Sequence, residues 1–194
     1  MDKIKKYIPW IVVLLLVLWI FQSYNGLVNK EEAIEGQWAQ VENVYQRRAD
    51  LIPNLVNTVK GYANFEQETL TGVIEARSKA TSINVDAGNL SPAAIANFQK
   101  AQEGLSGALS RLMVTVERYP ELKANQNFLE LQSQLEGTEN RIAVERKRFN
   151  DNVQNFNATI RRIPGSIIAS ITGFERKGYF EADAGADKVP EVKF

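Results

Sequence analysis

Phe128, Leu135, Ile142, Phe149, Phe156 and Ile163 recur every seven residues, and Leu131, Val153 and Ile160 fill in the same stripe. A repeat of that period draws one apolar seam along a helix and requires another helix to cover it; no strand pattern has this spacing. Two further stretches share it. Ile34, Trp38, Val41, Tyr45, Ile52, Leu55, Val59 and Tyr62 alternate by four and three, with Arg48 taking one slot, and Ile95, Phe98, Gln102, Leu105, Leu109, Leu112, Val116 and Tyr119 do likewise. The expected fold is all-α: an antiparallel three- or four-helix bundle in which long seams cover one another.

Turn chemistry sets the expected boundaries. "SYNG" reads as a turn ahead of the first seam, and "SINVDAGNL" ends the pattern after Ser82. Ser91 and Pro92 supply an N-cap and a proline at the first helical position of the second seam. Pro120 stops that helix and opens the third, which Pro164 and Gly165 end. Pro53 is the anomaly. It falls inside the first seam and cannot donate to the carbonyl of Ala49, a defect that costs about 3 kcal/mol in a helix interior.

Two arrangements accommodate it. Asp50 can cap a new helix with Pro53 in its opening turn, or one helix can run on through a bend. An unbroken helix over 28–82 would reach roughly 80 Å against about 40 Å for the second helix, leaving half of it uncovered. A break or sharp kink near Pro53 is therefore expected, and hairpin and bent helix both stay open.

From Tyr7 to Tyr24 the chain reads "YIPWIVVLLLVLWIFQSY", with no charge between Lys6 and Lys30. About 20 apolar residues cross a bilayer core as a helix. Tyr7, Trp10, Trp19 and Tyr24 have rings that settle at headgroup level, and Leu15 lies midway between them in the apolar run. A cleaved signal peptide is the alternative. "FQSYNGLVNKEEA" lacks its small-residue cleavage pattern, so an uncleaved anchor is expected. Lys3, Lys5 and Lys6 precede the span, which puts the amino terminus in the cytoplasm and the domain on the far side of the membrane. The expected divisions are a basic terminus at 1–6, a transmembrane helix at 7–24, a bundle at 25–163 and a tail at 164–194, first a short helix and then extended.

Composition narrows the chemistry. With no cysteine and no histidine, thiolate sites, disulfides, cysteine nucleophiles and the usual general base near neutral pH are excluded. No cofactor or metal is expected, and carboxylate or serine–lysine chemistry is what remains to an enzyme. Acidic and basic residues are equal in number, but the lysines crowd the amino terminus and leave the rest mildly acidic. Such a surface has no grip on phosphate backbones, so nucleic acid is not an expected partner.

In "LEGTENRI", Glu136, Glu139 and Asn140 lie on neighbouring helical turns with Arg141 beside them, and Gly137 would allow close helix approach. A polar network joining them to Arg48, with Pro53 nearby, would fix helix register; catalysis or metal binding there is the lesser reading. Glu66 and Glu68, two residues apart, face different sides of a helix and make no metal pair. "ERYPEL" at Glu117 serves a helix corner. Ile167, Ile168, Ile171, Phe174, Tyr179 and Phe180 are expected to dock on the bundle, with a neighbouring copy or the membrane surface as alternatives.

"EGQWAQVENVYQRRADLIPNLVNTVKGYA", "ALSRLMVTVERYPELKANQNFLELQSQLEGTENRIAVERKRFN", "FNATIRRIPGSIIASITGF" and the closing "PEVKF" resemble the LemA family of bacterial membrane-anchored proteins. The resemblance spans nearly the whole chain after the apolar run. It implies one amino-terminal membrane segment and a helical bundle, with relatives that support membrane organisation or envelope proteins, including membrane proteases. No general biochemical activity follows from it. It also implies a short amino terminus outside the cell, opposite to the lysine count, and histidine where this chain has Phe65.

The functional expectation is a non-enzymatic membrane-anchored scaffold or adaptor of the bacterial envelope. Its partners would be membrane lipid and either copies of itself or another membrane protein. A lipid-surface or membrane-shaping role is the alternative, and a carboxylate-dependent hydrolase the third reading.

Overall fold

The computed structural model describes residues 7–61 and 66–182. All regular structure among them is helical: α1 Ile8–Lys60, α2 Gln67–Ser82, α3 Pro92–Val116, α4 Pro120–Lys123, α5 Gln126–Thr159 and α6 Gly165–Thr172. Tyr62 and Phe65 fall outside the described residues.

α1 does not turn at "SYNG". Gly26 costs a helix interior only about 1 kcal/mol, too little to stop one flanked by strong helix formers on both sides. Nor does Pro53 break it. α1 runs on through the proline to Lys60, so no new helix is capped at Asp50, and the next helix starts only at Gln67.

Downstream, the caps decide the ends. Ser91 Oγ accepts from the backbone N–H of Ala94 at 3.3 Å and Pro92 opens α3. Pro120 begins only the single turn of α4; the long third helix starts at Gln126, where Asn125 Oδ1 accepts from the Phe128 N–H at 3.0 Å. α5 ends at Thr159, before the last position of the seven-residue repeat, so Ile163 is not a core residue but is exposed. Pro164 disfavours helical geometry at Ile163, and the chain reverses so tightly that a methyl on Gly165 would sit 2.2 Å from the Thr159 carbonyl oxygen. Pro164 and Gly165 therefore start α6 rather than finish α5.

The chain divides into two compact units. The first comprises residues 7–45 and 141–177. In it α1 and the latter part of α5 run antiparallel: Gln37 Nε2 donates to Glu145 Oε2 at 2.6 Å, and Asn152 Nδ2 donates to the Ala33 carbonyl at 3.2 Å. Leu27, Ile34, Trp38 and Val41 are buried, as are Ile142, Phe149, Val153 and Phe156, and the Trp38 and Phe149 rings meet edge to face at 5.6 Å. Phe174 extends this row, packing on both Phe156 and Tyr24. Lys177 is buried by its ion pair to Glu31 at 2.6 Å, and Asn157 grips its backbone by accepting from the N–H and donating to the carbonyl.

The second unit comprises, of the described residues, 46–61, 66–140 and 178–182. Five helices share its core: Ile52, Leu55 and Val59 of α1, Leu70 and Val73 of α2, Leu105 and Leu112 of α3, Leu122 of α4, and Phe128 and Leu135 of α5. Here too a side-chain amide holds extended chain. Gln99 Oε1 accepts from the Glu181 N–H at 2.9 Å while its Nε2 donates to the Glu181 carbonyl, and Phe180 packs edge to face on Phe98.

Candidate functional site

Arg48 occupies a seam position of α1 in the second unit and is 1% exposed. A buried guanidinium has five N–H groups to satisfy, so its surroundings must supply acceptors. Nη1 donates to Glu139 Oε1 of α5 at 2.6 Å and to Ser106 Oγ of α3 at 2.8 Å. Nη2 donates to Gln102 Oε1 at 2.7 Å and to the Gln102 carbonyl at 3.2 Å. Gln102 in turn donates from Nε2 to the carbonyl of Ala80, one of the last four of α2, which have no partner inside their own helix. One cation thus ties α1 to α3 and α5, and through Gln102 to α2.

Glu139 also lines an open groove of about 720 Å³ with Ser106, Leu109, Ser110, Met113, Gln132, Leu135, Glu136 and Asn140. The floor is apolar and the lip polar. Glu136 is exposed and accepts from Gln132 Nε2 at 3.0 Å. Asn140 is exposed, and so is Arg141. Of the residues singled out from sequence, Arg48 and Glu139 touch, while Glu136 and Asn140 share the groove with Glu139. Pro53 is exposed on α1. Gly137 makes no close approach, since a methyl there would meet nothing within 4 Å.

Two further carboxylates singled out from sequence have partners of their own. Glu66 pairs with Arg118 at 2.7 Å, and Glu117 with Lys123 across the α3–α4 corner. Among the described residues no group of three histidine, cysteine, aspartate or glutamate side chains is placed to hold a metal ion. In the first unit, burial pushes the Glu42 carboxyl above its ordinary value, an effect the neighbouring Trp38 indole partly offsets.

Ser106, Gln99, Asn157 and Arg77 were not legible as functional positions. Each is a common polar residue on an amphipathic helix, and only the packing shows which of them turn inward. Gln102 carried a signal, a polar residue standing in an apolar stripe as Arg48 does.

The amino-terminal part of α1 is the second feature. From Tyr7 to Phe21 its large apolar side chains lie exposed, Tyr7, Trp10, Leu15 and Trp19 included, and Tyr24 follows with its ring against Phe174. Among the described residues α1 is the one helix long and apolar enough to cross a membrane. The sequence model of the LemA family matches residues 37–194, covering Arg48, Gln102, Glu139 and the groove. This chain belongs to the LemA family.

Curated relatives agree with that membership. The chain is 29% identical to magnetosome protein MamQ of Magnetospirillum gryphiswaldense over 201 residues, covering 91% of this chain and 72% of the relative. It is 26% identical to MamQ 2 of Paramagnetospirillum magneticum, over 90% of this chain and 71% of that one. Protein LemA of Metamycoplasma hominis is 28% identical over 172 residues, 82% of this chain and 74% of the relative. The LemA family match begins after the apolar run, so the chemistry of the run rests on its own residues.

Proposed function

We propose that this LemA family member is a non-enzymatic, single-pass membrane-anchored helical scaffold or adaptor. It acts at the bacterial envelope through contacts with copies of itself or with another membrane protein. The observation that carries this reading is the unbroken course of α1: the exposed apolar run and the buried seam residues Ile34, Trp38 and Val41 belong to one helix of one compact unit. A helix needs no linker to transmit position, so whatever that unit binds is held at a fixed place relative to the lipid. The proposed divisions are 1–6, 7–24 as the anchor, 25–163 as the bundle and 164–194 as the tail. The anchor crosses the inner membrane with the amino terminus in the cytoplasm.

Arg48 with Glu139 serves register in this proposal, and Pro53, Glu136, Asn140 and Arg141 complete the region offered to partners. No cofactor or nucleic acid enters. The MamQ relatives are named for the magnetosome. What is carried over from them is the tethered bundle alone.

The test is a photo-crosslinker scanned over exposed positions of the full chain in native membranes, Val114, Glu136 and Val144 among them. Discrete adducts to a second copy or to one membrane protein, confined to a contiguous surface, are expected. An adduct-free scan together with a monomer in detergent at high concentration would sink the proposal. Protease accessibility of the bundle in intact cells decides its side of the membrane.

A further inference from the structure

Helix α6 buries one face and leaves the other bare. Ile168 and Ala169 are covered, whereas Ile167 is 53% exposed and Ile171 78%; Ile163, just ahead of the helix, is 79% exposed. A spacing of four puts Ile167 and Ile171 on one face of α6. Large branched side chains bare at that spacing need an apolar cover.

Two observations identify it. Phe174, just past the end of α6, packs on Tyr24 with ring centroids 5.9 Å apart, and Tyr24 closes the stretch 7–24 read as the membrane span. Being only eight residues long, α6 spans about 12 Å, so its bare face lies roughly within one helix length of the point where the apolar run ends. The face is also bordered by cations. Arg161 and Arg162 precede it and Arg176 follows it, all exposed, while the stretch from 161 to 177 contains one acid, Glu175.

We infer that α6 rests in the headgroup interface of the bilayer that α1 crosses, with Ile163, Ile167 and Ile171 among the acyl chains and Arg161, Arg162 and Arg176 against anionic headgroups. The arrangement has the chemistry of an interfacial amphipathic helix. So short a helix would hold a membrane weakly by itself. Joined to the anchor inside one compact unit, it faces lipid at high effective concentration, and weak intrinsic affinity suffices.

The inference rests on the anchor reading, and its test separates the two. The chain has no cysteine. Single cysteines placed at Leu15, Ile167, Ile171 and Val114 of the full chain can therefore carry spin labels after reconstitution into vesicles of phosphatidylcholine and phosphatidylglycerol. All four side chains are exposed, so the fold tolerates the change. Oxygen, which partitions into lipid, should dominate relaxation at Leu15, Ile167 and Ile171, and a water-soluble nickel chelate should dominate at Val114. Chelate dominance at Ile167 and Ile171 with oxygen dominance at Leu15 overturns this inference and leaves the anchor standing. Chelate dominance at all positions overturns both. Labels at Ile167 and Ile171 shielded from both reagents would show a protein surface covering α6, and the inference falls.

Discussion

Arg77 Nε donates to the carbonyl oxygen of Ala49 at 2.7 Å, and Ala49 is the residue whose carbonyl Pro53 leaves without its helical N–H. The gap that a proline opens in the hydrogen-bond ladder of α1 is thus filled by a side chain from α2. The two helices are pinned at the carbonyl that the proline leaves without its backbone donor. This accounts for a proline inside a seam: the unused acceptor becomes a docking point between neighbouring helices.

Arg77 and Pro53 should therefore be energetically coupled. Arg77→Met leaves a part-buried carbonyl unmet and should cost about 1–3 kcal/mol. In a Pro53→Ala background the restored N–H reaches the same carbonyl, and the cost of Arg77→Met should fall by at least half. Thermal or denaturant unfolding of the two single variants and the double variant measures the coupling. Equal costs in both backgrounds would show that Arg77 does not answer the proline.

The Arg48–Glu139 pair should be asymmetric. Glu139 is 44% exposed and can return to water, whereas Arg48 is 1% exposed and keeps Gln102 and Ser106 when Glu139 is lost. Glu139→Gln leaves the buried guanidinium without its counter-charge but keeps an oxygen acceptor, and should cost about 1–2 kcal/mol. Arg48→Ala removes a large buried side chain and deprives Gln102 and Ser106 of a donor, so about 3 kcal/mol or more is expected. Urea midpoints of the two variants at unchanged m-value give the comparison. Equal losses would mean that the ion pair, and not the burial of Arg48, dominates.

Spacing made the seams legible because burial selects apolar side chains at a helical period. Ile34, Trp38, Ile52, Leu105, Phe149 and Phe156 all sit where the repeat puts them. The polar intruder Arg48 was legible for the same reason. What spacing could not give was the place where a seam stops. Ile163 keeps the seven-residue count but lies beyond the end of α5, because the reversal at Pro164 and Gly165 overrides the pattern. "SYNG" failed in the opposite sense, its weak turn preferences yielding to the helix on either side. The amide grips of Gln99 and Asn157 are contacts distant in sequence with no period to announce them.

Two glycines should respond to alanine with opposite signs. Gly178 lies against the start of α3: its N–H donates to the Leu90 carbonyl at 2.8 Å, and an added methyl would come within 2.7 Å of Pro92 Cα and 3.0 Å of the Ser91 carbonyl oxygen. Backbone atoms yield poorly, so Gly178→Ala should cost about 1–3 kcal/mol. Gly137 lies in mid-helix with nothing within 4 Å, and Gly137→Ala should stabilise by about 0.5–1 kcal/mol. Melting temperatures of the two variants should move to either side of the parent; a drop for Gly137→Ala would show that helix propensity does not govern this position.

Glu42 should give the first unit a pH dependence of definite sign. Burial raises its carboxyl above the ordinary 4.5, with the Trp38 indole pulling the other way. A carboxyl raised in this way binds its proton more tightly folded than unfolded, so its favourable contribution is full below about 4.5 and is lost as pH climbs through the folded value. Glu42→Gln removes the titration while keeping an oxygen that can accept from the indole. The melting temperature of Glu42→Gln relative to the parent should therefore be lowest in acid, rise in favour of the variant as pH passes above 4.5, and level off towards neutrality. Scanning both proteins side by side cancels every other titrating group they share. A difference that stays flat from pH 4 to 7 would mean that the carboxylate of Glu42 is as well solvated in the fold as out of it.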